Sequence, residues 1–533
     1  MINMREMFYD CNCFNGDLSQ WDTSRVGISG NTFAGCWLFD GNVGGRLQGI
    51  SPLLHGCENI GMNPSVTPTR HELEDCLPSL PLDVAGIVYD YVGNPFVTLW
   101  EVPAGIFRLP LGRFEEGFAR RTEEGFARST EEDFANDFLV NWGDGRSNHF
   151  HNDYFPSHTY SAAGRYKVHI TGTIRGFCCG GSRHHTVHII EDRHELLEVS
   201  QWGCLQLLNG SRAFGDCCKL TVTARDAPGL KDVKDLSEMF SGCHSLRDED
   251  FSSWDTSDVT SMREMFSGCQ QFDGKVSTWS TSSVKDMSGM FTDCFRFNGD
   301  LSHWKTSCVT DMDRMFWRCL SFNGNLSQWA TGNVVSIEKM FRGCTSFQGG
   351  DLRSWDTSRV IDMRSAFNGC VVFNGDLRTW ITGSAVTMDR MFEGCCAFKG
   401  GNLRGWRTGR VTSMKSMFMG CRSFEGDLSN WNTGACENMS CMFIDCCSFN
   451  GDLRCWDTSK VVRANHMFFG CDAFKGDLSA WDVGNLSMLY QHPERDFESV
   501  IDCMCGSFSS VIPQDFRPSR RVNRLRSGKR WRI

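Results

Sequence analysis

Tryptophan recurs every 25 or 26 residues through the second half of this chain, from Trp254 to Trp481. Phenylalanine follows in step, from Phe240 to Phe468, and a cysteine stands three residues after each of these phenylalanines. Self-similarity at a fixed period of roughly 20–50 residues is typical of repeat proteins, whose units bury their apolar faces against one another. The sequence therefore predicts a stack of about ten units instead of one globular core.

Within one unit, the order of residue types predicts two short elements. Apolar side chains at i, i+3, i+6 and i+7 predict a helix of about two turns. A turn dipeptide, Asp273-Gly274, follows, and Val276 with Trp279 then predicts a short strand. We therefore expect an α/β repeat solenoid of leucine-rich-repeat type, with a short parallel strand and a short helix per 25 residues. The apolar positions of the predicted helix are Val259, Met262, Met265 and Phe266.

The cysteine column allows two interpretations. Cysteines of adjacent units could form disulfides or bind metal, or each thiol could fill a tight, buried corner as a small apolar side chain. The second interpretation is favoured because every cysteine in such a column has two equivalent neighbours and no unique partner. The chain contains 28 cysteines but no Cys-x-x-Cys motif, which argues against a zinc ribbon or a thioredoxin-type site.

Acidic residues also recur, after the turn glycine and after the tryptophan, which raises the possibility of a calcium-binding array. Lys275 and Lys305 occupy these two positions in other units, and a line of calcium ligands would not tolerate a lysine. We therefore interpret the aspartates as turn and capping residues. A threonine column, from Thr256 to Thr458, predicts hydroxyl groups that satisfy one another and the backbone.

Composition excludes several classes of protein. The formal net charge of −10 argues against nucleic acid as a partner of the whole chain. No apolar run reaches the roughly 18 residues of a transmembrane helix, and the N-terminal residues lack the pattern of a secretion signal. These features predict neither a membrane span nor nucleic-acid binding.

The unit Met-Phe-x-Gly-Cys-x-x-Phe-x-Gly-Asp-Leu-Ser-x-Trp-Asp-Thr-Ser-x-Val resembles the repeat of BspA-like leucine-rich-repeat surface proteins. That family is also described as a domain of unknown function in mycoplasma-type lipoproteins. The resemblance covers residues 200–485, and Met4 to Val26 repeats the motif once more. It implies extracellular or cell-surface display and adhesion or protein contact without catalysis. Members usually begin with a secretion signal, so we expect the N-terminus of this sequence to be incomplete, with a cytosolic member of the family as the alternative.

Members of that family commonly carry a small β-domain before the repeats, similar to a PKD domain. Three segments here resemble it: Phe138-Leu-Val-Asn-Trp-Gly-Asp-Gly145, His158-Thr-Tyr160 and Gly164-Arg-Tyr-Lys-Val-His-Ile170. The resemblance implies a small all-β PKD-like sandwich preceding the solenoid.

These observations divide the chain into five parts. We expect an isolated repeat unit at 1–26, a linker at 27–90, the PKD-like domain at 91–195 with an inserted charged loop at 111–137, the solenoid with its entry cap at 196–485, and a C-terminal cap with a basic tail at 486–533.

Two further clusters carry weaker signals. His184, His185 and His188 stand near Cys178-Cys179, which suggests a metal site, although no carboxylate pattern accompanies them. Eight of the sixteen residues from Arg517 to Arg532 are basic and could contact an acidic surface. A wet strand face and a solvated tail are the favoured interpretations, so we expect no metal and no cofactor.

The favoured function is a non-catalytic scaffold that binds a protein or glycoprotein through the side chains next to the tryptophan column. An enzyme of hydrolase type would use Asp144 with His158 on the β-domain, but no nucleophile or phosphate-binding motif supports it. A purely structural spacer is the third possibility. The predicted binding strip consists of Asp255, Ser280, Lys305, Ala330, Asp356, Ile381, Arg407, Asn432 and Asp457.

Overall fold

The computed structural model of the chain describes residues 2–3, 26–28, 95–111, 137–151, 153, 156–179, 196–207, 210–401 and 403–486. The expected charged loop, the histidine cluster, the basic tail and most of the expected linker lie outside these residues. Contacts divide the chain into two units, 1–175 with 200–206 and 176–199 with 207–533. The strands, in chain order, are β1 (Ile2–Asn3), β2 (Val26–Ile28), β3 (Phe96–Val102), β4 (Gly105–Arg108), β5 (Asp137–Asn141), β6 (Ser147–His151), β7 (Ser157–Tyr160), β8 (Gly164–Arg175), β9 (Leu196–Gln201), β10 (Leu205–Gln206) and β11 (Thr221–Val222).

The first unit is built from strands. Strands β3, β8, β5 and β6 pair antiparallel in that order, β10 joins β8 in parallel, and β4 with β7 forms a separate antiparallel pair. Alternating side chains of these strands enter a common aromatic core, in which Phe107 meets Trp100 edge to face at 5.0 Å between ring centroids. Trp142 and Tyr160 complete that core, and the Tyr160 hydroxyl donates to the Trp142 carbonyl oxygen over 2.8 Å.

The second unit contains the repeats, which we call the repeat array (residues 210–486). Strand β9 begins in this unit and pairs in parallel with β11, and one 3-10 helix covers Leu403–Gly405. Phe177 stacks on Phe214 at 4.9 Å, and the backbone N–H of Cys179 donates to the Ala213 carbonyl oxygen. These two residues therefore cover the first turn of the array.

The predicted α/β solenoid of leucine-rich-repeat type is wrong. No α-helix occurs in the described residues, and the segment from Val259 to Phe266 is a series of tight turns. The N–H of Met265 donates to the Met262 carbonyl oxygen, an i to i−3 bond, and Glu264 has a φ of +51°. A residue in the left-handed region cannot continue a right-handed α-helix, so the helical apolar spacing is satisfied by turns.

The predicted strand at Val276 and Trp279 is also wrong. The Trp279 N–H donates to the Val276 carbonyl oxygen, which closes another turn. Successive units meet instead through single parallel bridges, such as Ser261 with Asp286, in a ladder that runs without a break from Asp235 to Arg463. Isolated bridges replace the parallel sheet that a leucine-rich-repeat solenoid would have.

Backbone polarity connects the units. In one unit the N–H groups of Met262, Glu264, Phe266 and Gly268 donate to carbonyl oxygens of the next unit, over 2.7–3.0 Å. The carbonyl oxygen of each of these four peptide groups accepts a hydrogen bond from an N–H of the preceding unit. In these four columns the N–H groups are directed toward the C-terminal units, so that each turn satisfies backbone groups that would otherwise be buried without partners.

Columns of identical side chains fill the interior of the array. Trp329 and Trp355 stack with their ring planes 1° apart, and Phe266 and Phe291 stack 5.9 Å apart. Each indole from Trp279 to Trp481 donates its N–H to a backbone carbonyl oxygen of the preceding unit. Burial of these rings is the largest apolar contribution that each unit makes.

Candidate functional site

The predicted binding strip follows the buried tryptophan column, as the unit around Trp380 shows. The Trp380 indole stacks on Trp355 at 6.0 Å and donates to the Leu352 carbonyl oxygen over 3.1 Å. The next residue, Ile381, points outward with half of its surface exposed. Thr382 is buried again, so the strip residue stands between two anchored neighbours.

The threonine column fixes the backbone of the strip. The Thr357 hydroxyl donates to the Ile381 carbonyl oxygen over 3.1 Å and accepts the Ile381 N–H over 2.8 Å. Thr281 makes the same two bonds to Lys305. The hydroxyl groups satisfy the backbone of the next unit, which confirms one half of the prediction for this column. Because threonine hydroxyls occupy the N–H and carbonyl groups of Lys305 and Ile381, a ligand would have to contact the side chains of the strip.

The structure places all nine predicted strip residues at the same position of successive units. Ser280 is half-buried and the other eight are exposed. Where the residue is Asp or Asn, its side-chain oxygen accepts the N–H of the residue two positions later, at 2.9–3.1 Å. Hydrogen bonds from the Ser257 side chain and from its N–H lower the pKa of Asp255. The interpretation of these aspartates as turn residues is confirmed, which leaves Lys305, Ala330, Ile381 and Arg407 as the more specific candidates.

A second exposed column was missed by sequence reasoning. It lies one residue after the buried valine of each unit and includes Val335, Ile361 and Val462. Ile361 is 50% exposed and Val335 is 37% exposed, and both lie on consecutive rungs joined by a 2.9 Å backbone hydrogen bond. The signal was present in the sequence, because aliphatic residues occur here at a position that is Thr, Lys or Glu in other units.

Asp144 and His158, the pair considered for catalysis, connect two parts of the β-domain. Asp144 Oδ2 lies 2.8 Å from His158 Nε2 and the Asp144 carboxylate also accepts the Arg146 N–H. Burial acts to raise the pKa of Asp144, but the hydrogen bonds from His158 and Arg146 outweigh it and the pKa is lowered. The His158 ring stacks on Trp142 at 4.9 Å. The pair thus ties the β5–β6 turn to β7, beside a shallow pocket of about 520 Å³ lined by Ser147 and Ser157.

Only some of the residues considered as metal ligands belong to the described part of the chain. His184, His185 and His188 lie outside the described residues, whereas Cys179 is buried and Cys178 is half-buried. Within the described part of the chain, no three His, Cys, Asp or Glu side chains stand close enough together to hold a metal ion. No helix of the described residues is long and apolar enough to cross a membrane.

The comparison with protein families finds one match, to the family described as Mycoplasma protein of unknown function, DUF285. It covers residues 1–46, 234–350, 325–402 and 397–496, more than half of the chain. No curated protein and no solved structure matches the chain. The match does not include residues 95–179, so the likeness of that segment to a PKD domain stays a prediction.

The first matched segment extends beyond the single unit expected at residues 1–26. Phe33-Ala-Gly-Cys36 and Phe39-Asp-Gly41 reproduce the spacing of residues 266–274, which sequence reasoning overlooked. The bridge between Asn3 and Ile28 also corresponds in register to the bridge between Ser261 and Asp286. The same repeat thus occurs at both ends of the sequence, and the chain belongs to the DUF285 repeat family.

Proposed function

We propose that this chain is a non-catalytic scaffold that recognises a protein or glycoprotein partner through the strip beside the tryptophan column. Membership of a repeat family of unknown function is compatible with a non-catalytic role. The observation that carries the proposal is the contrast within each unit. The positions of Trp380 and Thr382 are buried and keep nearly the same residue type in every unit. The position between them, that of Ile381, is exposed and varies from unit to unit.

Rigidity supports the same proposal. A partner that binds exposed side chains loses affinity when those side chains or their backbone must first be ordered. Here each strip residue is held by a buried indole on one side and a buried threonine on the other. Variation on a fixed frame is how repeat proteins build extended binding surfaces.

A matched pair of variants tests this function. The strip variant combines Lys305→Glu, Ala330→Asp, Ile381→Asp and Arg407→Glu. A control variant with the same change in net charge alters exposed residues at a different position of the units, with Arg296→Glu, Leu320→Asp, Val371→Asp and Arg422→Glu.

Both variants and the native chain would be immobilised and exposed to cell and matrix extracts, with bound proteins identified by cross-linking and mass spectrometry. We expect the strip variant to lose partners that the control variant keeps, with melting temperatures unchanged. Equal capture by all three proteins would contradict recognition by the strip and favour a structural spacer.

The second part of the proposal is display at the cell surface or outside the cell, which is supported only by the resemblance to BspA-like surface proteins. Brief protease treatment of intact source cells tests it. We expect the native protein to be cleaved while an internal marker stays intact. Protection of the protein in intact cells, with cleavage after lysis, would refute surface display.

A further inference from the structure

The strip is not uniform along the array. Each unit has a corner loop, which we define as the six residues from the one after tryptophan to the one after the buried valine or its equivalent. The central corner loops are the five at 305–310, 330–335, 356–361, 381–386 and 407–412. Three of the four large aliphatic side chains that are exposed in corner loops lie in them, with Ile361 and Ile381 each 50% exposed and Val335 37% exposed, and the fourth is Val462. Exposed patches of this kind mark interaction sites more often than isolated exposed residues do.

Charge distinguishes the central corner loops from the acidic loops on either side of them. The central loops contain four cations, Lys305, Arg359, Arg407 and Arg410, and one carboxylate, Asp356. The loop at 255–260 instead contains Asp255 and Asp258, and the loop at 432–437 contains Glu437, whereas the loop at 280–285 between them carries only Lys285. The chain as a whole carries a formal net charge of −10, so this local excess of positive charge runs against its overall balance.

Asp356, the one carboxylate of the central loops, is hydrogen-bonded within its own turn. Asp356 accepts the N–H of Ser358 over 2.9 Å, and a hydrogen bond from Ser358 lowers its pKa, so it stays ionised within its own turn. Arg407 is exposed at the strip position, and Arg359 extends to the Asn333 side chain of the preceding unit over 2.8 Å. Cations therefore border the aliphatic residues along the central loops.

The backbone restricts how a partner can bind. The Thr357 and Thr382 hydroxyls occupy the N–H and carbonyl groups of Ile381 and Arg407. A partner cannot add a strand through these occupied groups, so β-augmentation is disfavoured at these positions. Arginine is enriched among the residues that dominate protein-binding energetics, and its charge favours a partner of complementary charge.

We propose that the central corner loops bind an acidic protein segment that carries aliphatic side chains. Its aliphatic residues pack on Ile361, Ile381 and Val335, and its carboxylates face Lys305, Arg407 and Arg410. This proposal rests on the proposed function and names the class of partner and the part of the strip that receives it.

A displayed library of random peptides tests the partner's chemistry without knowledge of the natural ligand. Peptides would be selected on the full native chain and then measured on two variants. The central variant combines Ile361→Ser, Ile381→Ser, Arg407→Ser and Arg410→Ser, and the flanking variant combines Asp255→Ser, Asp258→Ser and Glu437→Ser. Melting temperatures of both variants would confirm that they fold.

We expect selected peptides to be rich in Asp, Glu and aliphatic residues and to bind the central variant at least about tenfold more weakly than the native chain. Synthetic copies with Asp and Glu replaced by Lys should not bind. Peptides that depend on the central loops but are neutral or basic would overturn the inference.

Peptides that depend only on the flanking variant would also overturn the inference while leaving recognition by the strip intact. Binding that neither variant changes would overturn the inference, and if the strip variant also binds the same peptides unchanged, the proposed function would be refuted as well. The two failures are therefore distinguishable.

Discussion

The thiol of Cys294 donates a hydrogen bond to the backbone carbonyl oxygen of Phe266, one unit earlier, over 3.0 Å. The same carbonyl accepts the N–H of Cys269 within its own unit. This arrangement repeats from Cys243 to Cys471, so each thiol supplies a second donor to a buried carbonyl group. Burial raises the pKa of the Cys294 and Cys319 thiols, so each keeps the proton that makes the hydrogen bond.

Replacement of a central thiol should therefore cost more than the loss of apolar area. Cys319 is fully buried and donates to the Phe291 carbonyl oxygen over 2.9 Å. We expect Cys319→Ala to lower the free energy of unfolding by about 1–3 kcal/mol, through a small cavity and a lost donor. Urea denaturation measures this, with Cys308→Ala as the control because Cys308 is exposed. Equal effects of the two substitutions would contradict the role of the thiol.

The turn structure of the repeat predicts an unusual response to glycine. Arg390 is exposed and has a φ of +57°, a region that glycine adopts without strain. We expect Arg390→Gly to raise the free energy of unfolding by about 0.5–1 kcal/mol, and Arg390→Val to lower it by about 1 kcal/mol or more. Its ion pair with Glu393, at 3.6 Å, is too exposed to reverse the sign.

A helix at this position would respond in the opposite way, since glycine in an exposed helix costs about 1 kcal/mol. Chemical denaturation of the two Arg390 variants thus separates the turns from the helix that the apolar spacing suggests. A less stable glycine variant would favour the helix.

The threonine column should stabilise the array through its hydroxyl group. Thr357→Val keeps the shape of the side chain but removes both hydrogen bonds to Ile381. We expect a loss of about 1–3 kcal/mol, because the partly buried N–H and carbonyl groups of Ile381 are left without these partners. Thr412→Val is the control, since its exposed hydroxyl makes one bond of 3.3 Å. Thermal unfolding that ranks the control as equally damaging would argue against the bridging role.

Stability should depend on pH through Asp313. Burial raises the pKa of Asp313 to about 6, and the carboxylates of Asp311 and Glu338 add to the effect. Because the folded state holds this proton more tightly than the unfolded state, whose pKa is about 3.9, the ionised group destabilises the fold above about pH 6. That penalty disappears as the pH falls from about 6 to about 4.

Asp313→Asn should therefore raise the free energy of unfolding at about pH 8 by roughly 1–2 kcal/mol and flatten its dependence between about pH 4 and 6. Its amide oxygen can still accept the N–H of Glu338, which Asp313 accepts over 2.7 Å. Asp300→Asn is the control, because a backbone hydrogen bond from Ser302 lowers the pKa of Asp300. If only the control variant had a higher free energy of unfolding at about pH 8, the prediction would be contradicted.

Sequence alone predicted the repeat, its register and the positions of the strip residues. A fixed period forces equivalent residues into columns, so the buried tryptophans, phenylalanines and cysteines and the exposed strip followed directly from spacing. Asp273-Gly274 was recognised as a turn because the local chemistry of those residues suffices to form one. The aliphatic column at Val335 and Ile361 was missed because it departs from the repeat instead of following it.

Only the tertiary structure decided what connects those positions. Met262, Met265 and Phe266 face the interior equally well from a helix or from successive turns, so apolar spacing cannot separate the two. The choice depends on where the amide groups bond. The N–H of Glu264 donates to Ser288 in the next unit, a partner that exists only once the units stack. Hydrogen bonds between units offset the backbone strain of the left-handed residues. Local sequence preferences do not include that contribution, because it arises only between stacked units.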